Sequence, residues 1–119
     1  MKLNGFFSGL GSKRALVLGL SVSALACAAE QIPQVTSLQV DYARQSRPQT
    51  TLGELEEGRH AYASHCSNCH RLVDPREVSV KEWPGKVFEM GPKARLPQRQ
   101  MELIVLYLVA TAETAPRIQ

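Results

Sequence analysis

The feature that most constrains this chain is the pentapeptide Cys66-Ser67-Asn68-Cys69-His70. On a helical turn, residues three and four apart share a face, so the two thiols and the imidazole can converge on one ligand. Two cysteines at this spacing can add to the two vinyl groups of a porphyrin while the histidine reaches its iron, which is the attachment signature of a c-type haem. The motif predicts one covalent haem c on Cys66 and Cys69, with His70 as the proximal iron ligand.

The same pentapeptide has three other interpretations. A redox-active dithiol belongs in a strand–turn–helix context, and no βαβ pattern surrounds these cysteines. A zinc site needs four ligands, usually with a second pair at matching spacing, and the remaining candidates are His60, His65 and the distant Cys27. Chance recurrence is disfavoured by an upstream export signal and by helical patterns on both sides. We therefore favour haem attachment.

Residues 1–28 have the pattern of a secretory signal peptide. The basic residues Lys2, Lys13 and Arg14 precede an apolar run over residues 15–25, which small residues follow. A run of 11 residues is short for a bilayer span, so a permanent transmembrane helix is the weaker interpretation. Export predicts a periplasmic or otherwise extracytoplasmic protein, and haem c is matured outside the bacterial cytoplasm.

Cys27 leaves two fates open for the signal segment. Ala26-Cys27-Ala28 is an acceptable cleavage site that would discard the cysteine, whereas lipidation would make Cys27 the first residue of a lipoprotein. A lipobox usually has leucine three residues before its cysteine, and here Ala24 holds that place. Both fates remove a free thiol from an oxidising compartment. We favour simple cleavage, and a lipid on Cys27 is the only membrane link that we expect.

The charge of the chain gives no argument for a nucleic-acid or anionic-membrane partner. Three of the 14 basic residues lie in the signal segment and all 11 acidic residues lie beyond it, so the mature chain has equal numbers of both. Haem propionates would make it slightly negative. Electrostatic steering towards partners should accordingly be weak.

Residues 29–50 are polar, with five glutamines and two prolines. Their few apolar anchors include Val35, Leu38, Val40 and Tyr42. Such a composition predicts an extended polar tether with room for one short element that lies on the domain.

Beyond the tether, the sequence predicts three helices. The pair Thr51 and Glu54 has the spacing of a capping box and opens a helix that leads into Cys66. Ser79 and Glu82 form a second such pair. The apolar face of each helix recurs at spacings of three and four, at Leu52, Leu55, Gly58 and Tyr62 in the first and at Val80, Trp83, Val87 and Met90 in the second.

The second helix should contain Pro84 at the end of its first turn and end at Gly91-Pro92, with the glycine as a left-handed cap. The third should begin with Pro97 in its first turn and run to about Thr114. No segment shows sustained strand alternation. We predict an all-α fold, a small three-helix domain over residues 51–115 wrapped around the haem.

Residues 51–113 resemble the class I cytochromes c. The most specific part of the resemblance is a glycine eight residues, and an aromatic four residues, before the first cysteine of the motif, here Gly58 and Tyr62. In that family the glycine lets the first and last helices cross closely, and the matching contact for Gly58 here is Tyr107 or its neighbours. A helical glycine costs about 1 kcal/mol relative to alanine, so close packing is its expected compensation.

The resemblance also implies a distal methionine about seven residues before the last helix, and Met90 fits that place ahead of Pro97. A thioether opposite an imidazole raises the reduction potential and suits electron transfer. Met101 is the rival ligand, but its position inside the last helix is typical of core packing. His60 or His65 could bind iron only in place of Met90, and both lie on the proximal side.

Three further groups are candidates for contacts with the haem or with its ligand. Trp83 could donate its indole N–H to a haem propionate, and a role as a core aromatic is equally plausible. Arg71 could pair with a propionate, although arginines in such loops are usually solvated. A backbone carbonyl near Asp74-Pro75 should accept the second imidazole nitrogen of His70.

The resemblance implies an electron carrier, not an enzyme: an exported monohaem cytochrome that passes single electrons between redox proteins such as a dehydrogenase, a reductase or an oxidase. One departure is that only 19 residues separate His70 from Met90, fewer than is typical of the family. The alternative function is a haem enzyme or gas sensor with an open sixth position on the iron. It requires that Met90 is not a ligand, and no distal histidine–arginine pair supports it.

Overall fold

The computed structural model describes residues 32–116 of the chain. This part contains four α-helices, α1 (Ser37–Ser46), α2 (Leu52–Cys66), α3 (Trp83–Met90) and α4 (Gln98–Thr114), and a short 3₁₀ helix over Pro75–Glu77. Because residues 32–116 contain no strand, the predicted all-α class is confirmed. Nor does any helix among these residues have the length and apolar character needed to cross a membrane. The predicted signal peptide and Cys27 lie outside the described residues.

Helix α4 is the centre of the arrangement and contacts α1, α2, α3 and the 3₁₀ helix. Its sequence is apolar around most of its circumference, which is typical of a helix that is covered on several sides. The side chains of Leu103, Ile104, Tyr107 and Leu108 are almost completely buried. The predicted end of this helix at Thr114 is confirmed. Its start differs from the prediction, because Pro97 is the N-cap residue with extended backbone and not part of the first turn.

The capping box predicted at the start of α2 is confirmed. The Thr51 hydroxyl accepts a hydrogen bond from the Glu54 amide at 3.2 Å, and the Glu54 carboxylate accepts one from the Thr51 amide at 3.1 Å. A second box, not expected from the sequence, opens α1, where Thr36 and Gln39 exchange the equivalent contacts. Each box satisfies backbone donors that the first helical turn leaves without partners.

The described part of residues 29–50 differs from the predicted extended tether. Residues 37–46 form α1, a full helix that packs on α4 and α2, so the domain has four helices where three were expected. Val40 and Ala43, three residues apart, lie on its buried face, and Ile32 is buried ahead of it. The polar composition hid this face because an amphipathic helix of ten residues needs only a few apolar side chains to bury one stripe.

The segment before α1 is fixed at the place where α2 and α4 cross. The carbonyl oxygen of Pro33 accepts hydrogen bonds from Arg59 Nε of α2, at 3.1 Å, and from Tyr107 Oη of α4, at 2.7 Å. The Arg59 side chain is buried and also lies 3.7 Å from the Glu56 carboxylate. One backbone carbonyl thus satisfies two buried donors from two helices, and it ties the N-terminal segment to the core.

Close approach of α2 and α4 occurs at Gly58, as the sequence predicts. A β-carbon at Gly58 would overlap the carbonyl oxygen of Leu103, would lie 2.7 Å from its carbonyl carbon, and would come within 3.2 Å of Tyr107 Cβ. The predicted contact between Gly58 and Tyr107 is therefore confirmed. The compensation for a glycine inside a helix is contact with the backbone of the opposite helix.

Helix α3 begins later than predicted. The capping box at Ser79 does not form, and residues 79–82 instead make a turn in which the Glu82 amide donates to the Ser79 carbonyl at 2.9 Å. Trp83 is the first helical residue, which places Pro84 in the first turn. This start is favoured because a proline in the first turn loses no helical hydrogen bond, whereas one further inside would clash with the carbonyl four residues earlier.

The prediction that Gly91 is a left-handed cap is wrong. Gly91 has φ −55°, and the left-handed residue is Arg95 with φ 56°. The Leu96 amide donates to the Gly91 carbonyl at 2.9 Å and the Arg95 amide to the Pro92 carbonyl at 3.1 Å, the pair of bonds of a Schellman motif. A β-carbon at Gly91 would overlap the sulfur of Met101, so a larger residue there would require the flexible Met101 side chain to move.

Candidate haem-attachment site

The motif lies where α2 ends and the chain turns. Cys66 is the last residue of the helix and is half-buried, while Cys69 and His70 follow in the turn and are exposed. Both thiols are free. Burial raises the pKa of the Cys66 thiol, which keeps it protonated at neutral pH. Two unpaired thiols of different exposure are therefore available beside an exposed imidazole.

The His70 imidazole is oriented by a backbone carbonyl. Its Nδ1 lies 2.7 Å from the carbonyl oxygen of Arg71, and only a protonated Nδ1 can donate to that oxygen. In the neutral ring this leaves the lone pair on Nε2, which is the form of histidine that binds a metal. The acceptor was expected near Asp74-Pro75, and the structure instead places it at the very next residue.

Tyr62 holds the loop that follows the motif. Its hydroxyl donates to the Val73 carbonyl at 2.7 Å and accepts from the Val73 amide at 3.2 Å, so one side chain satisfies both backbone groups of that residue. Burial is the main cause that raises the pKa of Tyr62 to about 12, and the phenol therefore stays neutral. The sequence identified Tyr62 as an aromatic packing residue, but its hydroxyl could not be assigned a partner.

Trp83 makes the second contact with the same loop. Its indole Nε1 donates to the Pro75 carbonyl at 3.0 Å, and its ring stands edge-on to Tyr62 with centroids 6.1 Å apart. The side chain is 4% exposed. Of the two roles predicted for Trp83, this geometry matches the core aromatic, because indole has only one N–H donor and Pro75 accepts it.

Asp74 and Arg76, both in this loop, form an ion pair with each other. Arg76 Nε and Nη2 donate to the two carboxylate oxygens of Asp74 at 2.8 and 2.5 Å, and the Arg76 amide donates to the same carboxylate at 2.9 Å. The hydrogen bond from the Arg76 side chain lowers the pKa of Asp74. The carboxylate thus caps the 3₁₀ helix over Pro75–Glu77 and fixes the chain beyond Val73.

Met90 and Met101 have different surroundings. Met90 is the last residue of α3 and is 45% exposed, so its thioether is not committed to the core. Met101 lies inside α4, is 9% exposed and packs against Gly91. Of these two methionines, Met90 is therefore the better candidate for an external ligand.

The other candidate residues lie at the surface or at the rim. Arg71 is exposed, with its guanidinium 3.9 Å from the Glu77 carboxylate. The imidazole of His60 is 76% exposed and lies 4.0 Å from the Glu56 carboxylate. His65 is half-buried near the end of α2.

An open cleft of about 370 Å³ lies between α3 and α4 and includes no residue of the motif. Its lining consists of Arg47, Phe88, Glu102, Val105 and Leu106. Among the residues that the structure describes, no three histidine, cysteine or acidic side chains are grouped to hold a metal ion. A haem iron needs only two axial ligands from the protein, because the porphyrin supplies the others.

No protein-family model, no curated protein and no solved structure matches this chain. The assignment of a function therefore depends on the chemistry of the motif and on the geometry around it.

Proposed function

We propose that this protein is an exported monohaem c-type cytochrome that transfers single electrons between redox proteins. The observation that carries the proposal is the arrangement at the end of α2. Two free thiols precede an exposed His70 whose Nδ1 contacts the Arg71 carbonyl at 2.7 Å, which leaves Nε2 available for iron. Two thiols and an imidazole at this spacing, with the thioether of an exposed methionine elsewhere in the domain, are the donors that a covalent haem requires.

Each residue of the site has a separate task in this proposal. Cys66 and Cys69 would bind the porphyrin edge through thioethers, the half-buried sulfur from the helix and the exposed sulfur from the turn. His70 would bind iron through Nε2, with its orientation set by Arg71. One-electron exchange at iron is the chemistry that the haem supplies when bound.

Met90 is proposed as the sixth ligand. An exposed thioether at the last residue of α3 projects from a helix end that the Schellman motif fixes. Together with His70, a thioether from Met90 would raise the reduction potential and would leave no position on the iron open to a substrate. Arg71 is the candidate partner for a propionate. A propionate bond from Trp83 would require that its contact with Pro75 is given up.

Redox proteins are the partners that the proposal implies. The balance of 11 acidic residues against 11 basic residues outside the predicted signal segment favours brief docking with weak electrostatic steering. The predicted export signal places this exchange in the periplasm or another extracytoplasmic space, with simple cleavage favoured over a lipid on Cys27.

The proposal is tested by optical spectra of the full chain produced with c-haem maturation machinery. We expect a c-type ferrous spectrum together with the weak near-infrared ferric band of methionine ligation. Met90→Ala should abolish that band, whereas Met101→Leu should retain it because the core position keeps its volume.

Two other outcomes would reject parts of the proposal. A c-type spectrum without the near-infrared band, with ready binding of carbon monoxide, would favour the enzyme or gas sensor with an open sixth position. A protein with no covalent haem would reject the proposal entirely, and metal analysis would then test the zinc interpretation.

A further inference from the structure

Two buried side chains form hydrogen bonds with the backbone of the loop that follows His70 in the chain. The Tyr62 hydroxyl satisfies both the amide and the carbonyl of Val73, and the Trp83 indole satisfies the carbonyl of Pro75. Both side chains are 4% exposed, and their rings are in edge-on contact. These hydrogen bonds thus come from side chains of two different helices, α2 and α3, and they fix the same loop.

The loop position determines where the Arg71 carbonyl points. Only Arg71 and Leu72 separate His70 from Val73, so a fixed Val73 leaves few backbone dihedrals free between the two ends. The side chain of Arg71 does not anchor this stretch firmly, because it is exposed and its one backbone contact among residues 32–116, to the Leu72 carbonyl, is long at 3.4 Å. The anchor for the carbonyl that accepts His70 Nδ1–H is therefore Val73.

We propose that Tyr62 and Trp83 are positioning residues that hold the Arg71 carbonyl against His70 and so tune the iron site. The inference depends on the proposed function. A firm Nδ1–H···O contact raises the basicity of the imidazole, and a more basic ligand favours ferric over ferrous iron. Loss of the hydrogen bonds from Tyr62 or from Trp83 weakens the contact between His70 and the Arg71 carbonyl, so the reduction potential of the iron rises.

The test compares Tyr62→Phe and Trp83→Phe with Tyr107→Phe in the haem-loaded full chain. Tyr107 is the matched control because its ring belongs to the same cluster, 6.4 Å from Tyr62, while its hydroxyl donates to Pro33 and not to the loop. Tyr62→Phe removes the two hydrogen bonds of one buried hydroxyl and Tyr107→Phe removes one, so both variants should lose stability in urea.

Only Tyr62→Phe and Trp83→Phe, the variants that lose a hydrogen bond to the loop, should change the iron site. We expect Tyr62→Phe to shift the equilibrium between ferric and ferrous forms at least threefold towards ferrous, about 28 mV for a one-electron couple, with a smaller shift of the same sign in Trp83→Phe. The Val73 amide should also lose protection from hydrogen exchange in Tyr62→Phe. Tyr107→Phe should change neither quantity.

Equal potentials in wild type and Tyr62→Phe, with stability lowered as in Tyr107→Phe, would overturn the inference and leave Tyr62 a purely structural role. Equal shifts in all three variants would overturn it as well, because general loosening would then explain them. If the wild type carries no covalent haem, the proposed function fails. Nitrogen NMR of the His70 ring then tests the positioning role of Tyr62 separately from the proposed function. Loss of the Nδ1–H tautomer in Tyr62→Phe would still support the positioning role, and an unchanged tautomer would reject it.

Discussion

At the scale of single residues, the site depends on contacts whose partners are backbone atoms. His70 contacts the Arg71 carbonyl, Tyr62 contacts both polar groups of Val73, and Trp83 contacts the Pro75 carbonyl. Backbone partners are insensitive to which side chain a loop position carries. The side chains at Arg71 and Val73 can therefore vary without loss of these bonds, whereas Tyr62 and Trp83 cannot change without loss of a bond.

The buried tyrosines predict how stability depends on alkaline pH. Burial raises the pKa of Tyr62 from an ordinary value of 10.0 to about 12, and it raises that of Tyr107 in the same direction. A raised pKa means that the folded state holds the proton more tightly. The resulting stability is complete below about pH 10 and is lost as the pH rises through 12. Urea midpoints should fall over this window in the wild type.

The matching variants isolate that effect. The double variant Tyr62→Phe/Tyr107→Phe should lose most of the alkaline fall in urea midpoint, although it starts from a lower stability. Tyr42→Phe, a substitution on the rim of the core in α1, should retain the fall. A double variant with the same alkaline fall as the wild type would show that other groups cause it.

Arg95 occupies a backbone conformation that glycine adopts without cost. Its φ of 56° places its β-carbon against the neighbouring carbonyl, which costs roughly 1–2 kcal/mol for a residue other than glycine. Arg95→Gly should therefore raise the free energy of unfolding by about 1 kcal/mol. Lys93→Gly in the same turn is the control and should lower it, since Lys93 does not have a positive φ and contacts Glu89 at 3.3 Å. Urea denaturation measures both, and destabilisation by Arg95→Gly would contradict the argument.

At the scale of elements, local signals succeeded where nothing competed with them. The Thr51–Glu54 box opens α2 as predicted, but the identical spacing at Ser79–Glu82 does not open α3. The difference is Pro84, because a helix begun at the serine would place that proline beyond the positions where its missing N–H has no effect. The start of a helix therefore depends on residues further along the chain.

The left-handed residue after α3 shows a second limit of local rules. Gly91 was the natural candidate, but it has an ordinary helical φ and lies close to the Met101 side chain of α4, while Arg95 takes the left-handed position. A sequence does not show which of two demands, space or backbone conformation, a glycine meets. In the same way, no pattern could show that the hydroxyl of Tyr62 bonds Val73. The spacing of the cysteine–histidine motif predicts haem attachment without such information, and that interpretation stays a prediction.

Alanine substitutions at Gly58, where α2 and α4 cross, and at Gly85 in α3 should have opposite effects on stability. Gly58→Ala would drive a methyl group into the backbone of Leu103, which cannot move without displacing the helix, and should cost about 2–3 kcal/mol. Gly85→Ala in α3 meets no atom within 4 Å and should stabilise the protein by about 0.5–1 kcal/mol through helix propensity. Thermal unfolding of the two variants provides the comparison. A neutral Gly58→Ala would mean that the helices do not cross so closely.

At the scale of the whole molecule, the segment before the predicted domain is part of the fold. Residues 32–46 contribute the buried side chains of Ile32, Val40 and Ala43, and the Pro33 carbonyl accepts donors from α2 and α4. Full burial of one isoleucine or valine contributes about 1.5–3 kcal/mol. A small domain has only about 5–15 kcal/mol in total, so this segment supplies a substantial share.

A truncation series therefore distinguishes a packed segment from a tether. The series has two truncated chains, one that begins at Ile32 and one that begins at Arg47. Both are exported with the same foreign signal peptide and loaded with haem. The chain from Arg47 lacks α1 and removes from Arg59 and Tyr107 the carbonyl that they share, so its urea midpoint should fall sharply, by the equivalent of about 3 kcal/mol or more. Equal midpoints for the two chains would show that residues 32–46 are a tether that the core does not need. The haem spectrum provides an independent readout, because loosening of α4 would reach the site through its contacts with α2 and α3, whereas loss of a mere tether would leave the spectrum unchanged.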